Sequence, residues 1–405
     1  MVRKLLKKIA LVSFLALSPL TGCGEKTVGP EDPSQKFSVE FFNETKKWID
    51  YAPTNFDPES QKFPSQESIK KDLEVLYDAN FKGLVTYGSD NVLSSIPRIA
   101  KEVGFEHVVM GIWDLKSQEE WDNAKKAKDY VDGYCLGNEG LMNGRYTLED
   151  LKSRLQSLRE ETGKPVTTTE IAGRYGEDLF EIGDWVFPNA HPYWNGVLEP
   201  LQAAKWTKQQ YETLSEQTDK TIVLKEVGLP SSGDKGLSEN VQNVYYKSLE
   251  DLMGDKEKTN FVYFEAFDQE WKDWGAVEPY WGLFNSDRTP KEVVQPKIFH
   301  TFVPKLGRLT DLVGKVTNVN PENHGVSTYI LVGKTWWMKP YWDLPLASIS
   351  EDFNWKTDIT TGGDDQTATK ISSFLVVSDY NPIKHVLPEV DGVKVLSSVI
   401  TERTK

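Results

Sequence analysis

The chain has 405 residues, with 61 acidic against 47 basic side chains, a formal net charge of −14, 39% hydrophobic residues and 13 Trp. That apolar content excludes a wholly disordered chain, and a mean hydropathy of −0.49 excludes a multi-span membrane protein. The negative balance, without an extended Lys/Arg run past residue 8, turns away phosphate backbones, so nucleic acid is not an expected partner and neutral ligands remain.

Residues 1–22 read as an export signal. Arg3, Lys4, Lys7 and Lys8 form a basic start, and Ile9 to Leu20 form an apolar stretch too short to span a bilayer comfortably. The stretch ends in Leu20-Thr21-Gly22-Cys23, which resembles a bacterial lipobox. Cys23 is therefore the expected lipidation site, and several acyl chains would hold the protein outside the cytoplasm on a bacterial membrane, the outer membrane or the cell surface. Once Cys23 is acylated, Cys135 has no partner for an internal disulfide. Residues 23–39, rich in Gly, Pro, Glu, Asp and Ser, read as a flexible tether.

From residue 40 to 303 short apolar runs alternate with amphipathic stretches. Strands are expected at Trp48–Ala52, Gly83–Tyr87, Val108–Trp113, Tyr134–Leu136, Val166–Glu170, Trp185–Ala190, Thr221–Lys225 and Phe261–Phe267. Between them lie helical stretches, such as Ile69, Leu73 and Leu76 on one stripe, Val92 to Val103, Trp121 to Tyr130, Leu148–Leu158, Pro200 to Leu214 and Val241–Leu252. Eight strand-and-helix units predict a (β/α)8 TIM barrel. An open doubly wound sheet would carry a Gly-rich phosphate loop after its first strand, and Tyr51-Ala52-Pro53-Thr54-Asn55 has no glycine. Residues 304–405 change to short alternating strands parted by Asn-Pro, Gly-Gly and Asp-Gly turns, which predicts a small β-sandwich of immunoglobulin-like size. Its segment Trp336-Trp337-Met338-Lys339-Pro340-Tyr341-Trp342 reads as a surface packed on the barrel, with a glycan platform as the alternative.

In such a barrel the reacting groups come from the C-terminal ends of the strands. Those ends carry Tyr51, Tyr87, Trp113, Asn138-Glu139, Glu170, His191, Tyr193, Trp194, Glu226 and Phe267. Two glutamates, 139 and 226, end the fourth and seventh strands. A carboxyl pair flanking an anomeric carbon is what glycoside hydrolysis requires, one to protonate the leaving oxygen and one to meet the developing cation. Aromatic rings at the neighbouring ends suit the C–H faces of a neutral sugar. Trp194, Trp271 and Trp274 lie in loops, where stacking on sugar accounts for them better than packing. Asn138 is placed to bond a sugar 2-hydroxyl. Glu170 reads equally as a third site carboxylate or as a rim ion-pair partner. Lys225, next to Glu226, should point away from it if the strand alternates strictly. Five scattered His and no His/Cys/Asp cluster predict no metal, and no cofactor is expected.

Three segments in this order carry a resemblance: Gly137-Asn138-Glu139, Lys225-Glu226-Val227-Gly228-Leu229-Pro230-Ser231, and Tyr263-Phe264-Glu265-Ala266-Phe267-Asp268-Gln269-Glu270-Trp271-Lys272 followed by Tyr280-Trp281-Gly282-Leu283-Phe284. Over residues 46–300 the chain resembles glycoside hydrolase family 17, retaining β-1,3-glucanases and transglycosylases on a TIM barrel. The resemblance implies Glu139 as acid/base, Glu226 as nucleophile, and Lys272 with Glu265 and Glu270 as a supporting network. One departure is Val85, where the family often has a basic residue. The expected activity is retaining hydrolysis of laminarin-type β-1,3-glucan through a covalent glycosyl-enzyme. Its alternatives are transglycosylation at the same site, or a surface lipoprotein that binds glycan without cleaving it.

Overall fold

The computed structural model describes residues 37–45, 47–254 and 259–405; Cys23, the export signal and most of the expected tether lie outside them. Seven short parallel strands form one curled sheet: β1 (Trp48–Tyr51), β2 (Gly83–Thr86), β3 (His107–Ile112), β4 (Gly133–Leu136), β5 (Val166–Thr167), β6 (Leu224–Val227) and β7 (Phe261–Tyr263), in the order β5-β4-β3-β2-β1-β7-β6. This arrangement fits a (β/α)8-like fold. Residues 185–190, expected as a strand, form no regular strand but run between the two sheet edges. Toward β6, Val223 N–H donates to the Val186 carbonyl at 3.0 Å and Lys225 N–H to Pro188 at 2.7 Å, while Asn189 N–H donates to the Glu170 carbonyl at 2.9 Å on the β5 side.

Both faces of the sheet are covered, so its strands are apolar on both sides. One parity faces helices: Ile49, Leu84, Val108, Met110, Tyr134 and Leu136 pack with Leu73 and Leu76 of α1 (Gln66–Asp78) and Leu151, Leu155 and Leu158 of α2 (Leu148–Thr162). The other parity fills the interior with Trp48, Val85, Val109, Cys135, Val223 and Val262, closed at the N-terminal end by Phe41 and Phe42. Gly83 is required there, since a Cβ would stand 2.2 Å from the Trp48 ring. The helices are built with local signals. Thr147 and Asp150 form a reciprocal capping box at the start of α2, and Gly163 ends it in the left-handed region at φ 67°.

Lys297–Phe302, expected within the barrel, instead forms β8 and pairs antiparallel with β9 (Leu312–Thr317), which pairs in turn with β13 (Asn354–Thr357). The second antiparallel sheet orders β11 (Thr335–Lys339), β10 (His324–Val332), β14 (Lys370–Val377) and β15 (Val395–Glu402), with β12 (Leu346–Ser348) also on β10. Ile298, Leu312, Val316, Val326, Ile330 and Trp355 form a core between the two sheets. This β-rich region meets the parallel sheet's layer at the C-terminal end of α1, where Asn320 N–H donates to the Asp78 carbonyl at 2.7 Å. Because α1 runs antiparallel to the strands, that contact lies at their N-terminal ends, away from the mouth. The Trp-rich segment is not covered by the barrel: Trp337, Tyr341 and Trp342 are exposed. Among the described residues no helix is long and apolar enough to cross a membrane.

Candidate active site

Glu139 follows β4 through a turn in which Gly137 and Glu139 both take positive φ, 69° and 55°. The turn is pinned by Glu139 N–H donating to the Thr169 carbonyl at 2.9 Å. Its side-chain Oε1 accepts from Asn189 Nδ2 at 2.9 Å. Asn189 is buried, and its own Oδ1 accepts from the Thr169 hydroxyl at 3.0 Å, which sets which way its amide faces. Burial, then the charge of Glu226, push the Glu139 carboxyl above its ordinary range, more than the Asn189 bond lowers it. Asn138 Oδ1 accepts from Asn189 Nδ2 at 3.2 Å and from Lys225 Nζ at 3.3 Å, so its amide nitrogen is the atom left to meet a ligand.

Glu226 sits on β6 in the opposite electrostatic situation. Its Oε1 accepts from Lys225 Nζ at 2.8 Å and its Oε2 lies 3.1 Å from His191 Nε2. Burial opposes its ionisation, yet the Lys225 ammonium and the His191 hydrogen bond outweigh burial and hold its pKa down at about 2. Lys225 therefore does not point away. The alternation expected along β6 fails because its register against β7 shifts between Leu224 and Val227, and that irregularity turns both side chains toward the mouth. The ammonium also stands 4.3 Å over the Tyr87 ring and 3.9 Å from Asp50 Oδ1. Val85 is buried with Val109 and Cys135 in the interior, so the cation beside Tyr87 comes from Lys225 on another strand.

Around the two carboxyls, His191 packs edge-on to Phe264 at 5.0 Å and Trp281 at 5.1 Å. Tyr193 packs on Trp281 and Trp194, and its hydroxyl donates to Asp234 at 2.9 Å; Trp194 is 57% exposed. Lys272 Nζ donates to Glu265 Oε1 at 2.6 Å, and burial lifts Glu265 to about 7 despite that cation. Glu270 takes no part in this pair; its Oε1 accepts from the Ser286 hydroxyl at 2.7 Å. Trp271 and Trp274 meet edge-on at 5.2 Å, with Trp274 exposed. On the side of β3 and β4, exposed Trp113 carries the Arg145 guanidinium 4.5 Å over its ring, and Arg145 also donates to the Asn138 carbonyl. Trp113, Lys116, Arg145 and Tyr146 line a cavity of about 290 Å³ there.

Three expected ligand contacts are placed elsewhere. Tyr51 is buried on the helix-facing parity, donating its hydroxyl to Asp72 at 2.9 Å. Phe267 is buried against Phe284 and Tyr51. Glu170 is fully buried and, among the described residues, forms no ion pair: its Oε1 accepts from Leu141 N–H at 2.7 Å and its Oε2 from Met142 N–H at 3.2 Å, so it braces the loop that follows Glu139. Sequence reasoning passed over Asn189 and Asp50, and gave Lys225 and Trp281 no place in the site. Asn189 had one readable signal, a polar amide closing the apolar run Trp185-Val186-Phe187-Pro188. Asp50 had a second, a carboxylate inside an otherwise apolar strand.

Residues 49–282, more than half of the chain, match the BtgE/BtgC glycoside hydrolase domain. The chain belongs to this glycoside hydrolase family. Relatives include a probable glucan endo-1,3-beta-glucosidase btgC of Aspergillus terreus, 27% identical over 60% of this chain and 44% of the relative. The glucan endo-1,3-beta-glucosidase btgC of Emericella nidulans is 25% identical over 67% of this chain and 49% of its own length. The chain thus spans under half the length of these curated relatives. Among solved structures, a glycoside hydrolase family 17 beta-1,3-glucanosyltransferase from Rhizomucor miehei superposes with a TM-score of 0.52 at 24% identity, covering 62% of this chain and 97% of that one. At that identity the likeness is one of fold.

Proposed function

We propose that this family member is a retaining glycoside hydrolase acting on β-1,3-glucan, with Glu226 as nucleophile and Glu139 as acid/base. One observation carries the reading: two glutamates at strand ends, Glu226 buried and Glu139 half-buried, have environments that set their acidities apart, Glu226 held ionised by Lys225 and His191, Glu139 kept toward the protonated form by desolvation and by Glu226 itself. In the first step Glu139 gives its proton to the leaving oxygen as Glu226 bonds to the anomeric carbon. In the second, Glu139 takes a proton from water, which releases the sugar from Glu226. Asn138 bonds the 2-hydroxyl through its amide nitrogen, and the exposed rings of Trp194, Trp113 and Trp274 supply stacking faces. β-1,3-Glucan as substrate is supported by the btgC relatives, which are named as glucan endo-1,3-beta-glucosidases.

The same reading takes residues 185–190 as the eighth strand of a closed TIM barrel ending before Lys297, and residues 297–405, which include β8, as an immunoglobulin-like accessory domain. It keeps Cys23 as a lipid anchor to a bacterial membrane, supported by the Leu20-Thr21-Gly22-Cys23 motif. The test of function is Glu226→Ala assayed on laminarin. Reducing-end release falls at least ~10³-fold, with the circular-dichroism spectrum unchanged; near-normal release from that variant would refute the assignment.

A further inference from the structure

Beneath Glu226 lies a buried group of charges whose arrangement exceeds what ionising one carboxylate requires. Lys225 is 1% exposed, so no bulk water competes for its three N–H donors. One donor goes to Glu226 Oε1 at 2.8 Å and another to Asn138 Oδ1 at 3.3 Å, on the far strand end that carries Glu139. The third side faces Asp50, 3.9 Å away on β1. Asp50 is fully buried, and among the described residues neither of its carboxylate oxygens has a hydrogen-bond partner.

The other ionisable groups nearby are committed elsewhere. Glu265, beyond β7, is held by Lys272 at 2.6 Å, and His191 engages the opposite oxygen of Glu226. Tyr87 and Cys135 face the cluster as neutral groups, because burial and the surrounding carboxylates push both far above their ordinary range. For Lys225, burial works against the charge, yet Glu226 first and Asp50 second hold it protonated, while burial pushes the Asp50 carboxyl well above its ordinary range against the pull of Lys225.

We propose that Lys225, faced from beneath by Asp50, is a positioning residue that ties the Glu226 carboxylate to the strand end bearing Asn138 and Glu139, so that one buried cation aligns nucleophile and acid/base across the mouth. The proposal rests on the reading of Glu226 as nucleophile. It differs from a merely structural ion pair in what it requires. Loss of the ammonium must slow attack by Glu226 and raise the pH at which attack fails, even where the fold survives.

The test labels the full chain with a β-1,3-linked disaccharide bearing fluorine at C2 of the reacting sugar and a dinitrophenolate at its C1. Glu226 forms the bond to C1 as the C1–oxygen bond breaks, and the phenolate leaves with the electron pair. Intact mass and peptide mapping then read the rate and the position of the label. In Lys225→Met the label still maps to Glu226 but forms ~10²-fold or more slowly, and the acidic limb of labelling rises by about 1–3 pH units. Lys225→Arg keeps the acidic limb where it is and recovers part of the rate, because the charge persists while the geometry changes. Wild-type labelling by Lys225→Met with an unmoved limb overturns the proposal while leaving the nucleophile reading intact. Should Lys225→Met fail to fold, wild-type rates in both Lys225→Arg and Asp50→Asn overturn it equally. A wild-type label on any residue other than Glu226 sinks the nucleophile reading and the proposal with it.

Discussion

Asn189→Ala probes the acid/base without touching Lys225 or His191, the two partners of Glu226. Asn189 donates to Glu139 Oε1 at 2.9 Å from a buried amide held by Thr169, so the bond is made to the ionised form of Glu139 and lowers its pKa. A hydrogen bond to a charged group contributes about 1.5–3 kcal/mol, which at 1.36 kcal/mol per unit is roughly 1–2 pH units. Water entering the space left by the amide offsets part of this, leaving about 1 unit. The sign follows: without the donor, Glu139 holds its proton to higher pH. The alkaline limb of kcat/KM on laminarin, where the acid loses its proton, therefore moves upward by about 1 unit. The plateau falls ~10-fold, because Asn138 loses the same amide and the two side chains are less well oriented. Reducing-end release measured across the pH range in which the variant stays folded reads both quantities. A limb that stays in place or moves down would refute the assignment of Glu139 as the proton donor tuned by Asn189.

Two further outcomes follow from the packing. Trp194→Ala removes an exposed ring that nothing in the core needs; it raises KM for laminarin oligosaccharides ~2–12-fold with kcat nearly unchanged, as expected for about 0.5–1.5 kcal/mol of stacking, and an unaltered KM would remove Trp194 from the substrate path. Arg288→Met breaks the pair with fully buried Asp72, to which Arg288 Nε donates at 2.7 Å. Asp72 keeps its bonds from Tyr51 and Thr54, so the loss is about 3 kcal/mol, at the lower end for a broken buried pair. Burial already raises the Asp72 carboxyl, and losing the guanidinium raises it further. The deficit, read by denaturant melts, is therefore full at neutral pH and shrinks as acid protonates Asp72.

What was legible in the amino-acid order is the alternation of strands and helices and the positions at which strands end, and with them Glu139, Glu226, His191 and the loop tryptophans. These follow from local chemistry: apolar runs, capping residues, and the side chains that a barrel of this kind presents where its strands stop. Which parity of each strand faces inward was not legible. In a sheet covered on both sides, helix-facing and interior residues are alike apolar, so Tyr51 and Phe267 read the same as Tyr87, although the first two are buried away from the mouth and the third faces it. The same ambiguity concealed the inward-facing Asp50, while the irregular register of β6 concealed the turn of Lys225 toward Glu226. Glu170 shows the point from another side: its strand-end position was readable, but its role depends on two backbone N–H groups of a loop about thirty residues earlier in the chain. The amino-acid order therefore determined which groups this protein can bring to a site. The tertiary structure decided how they are charged and aimed, because burial, register and long-range hydrogen bonds exist only once the strands have met.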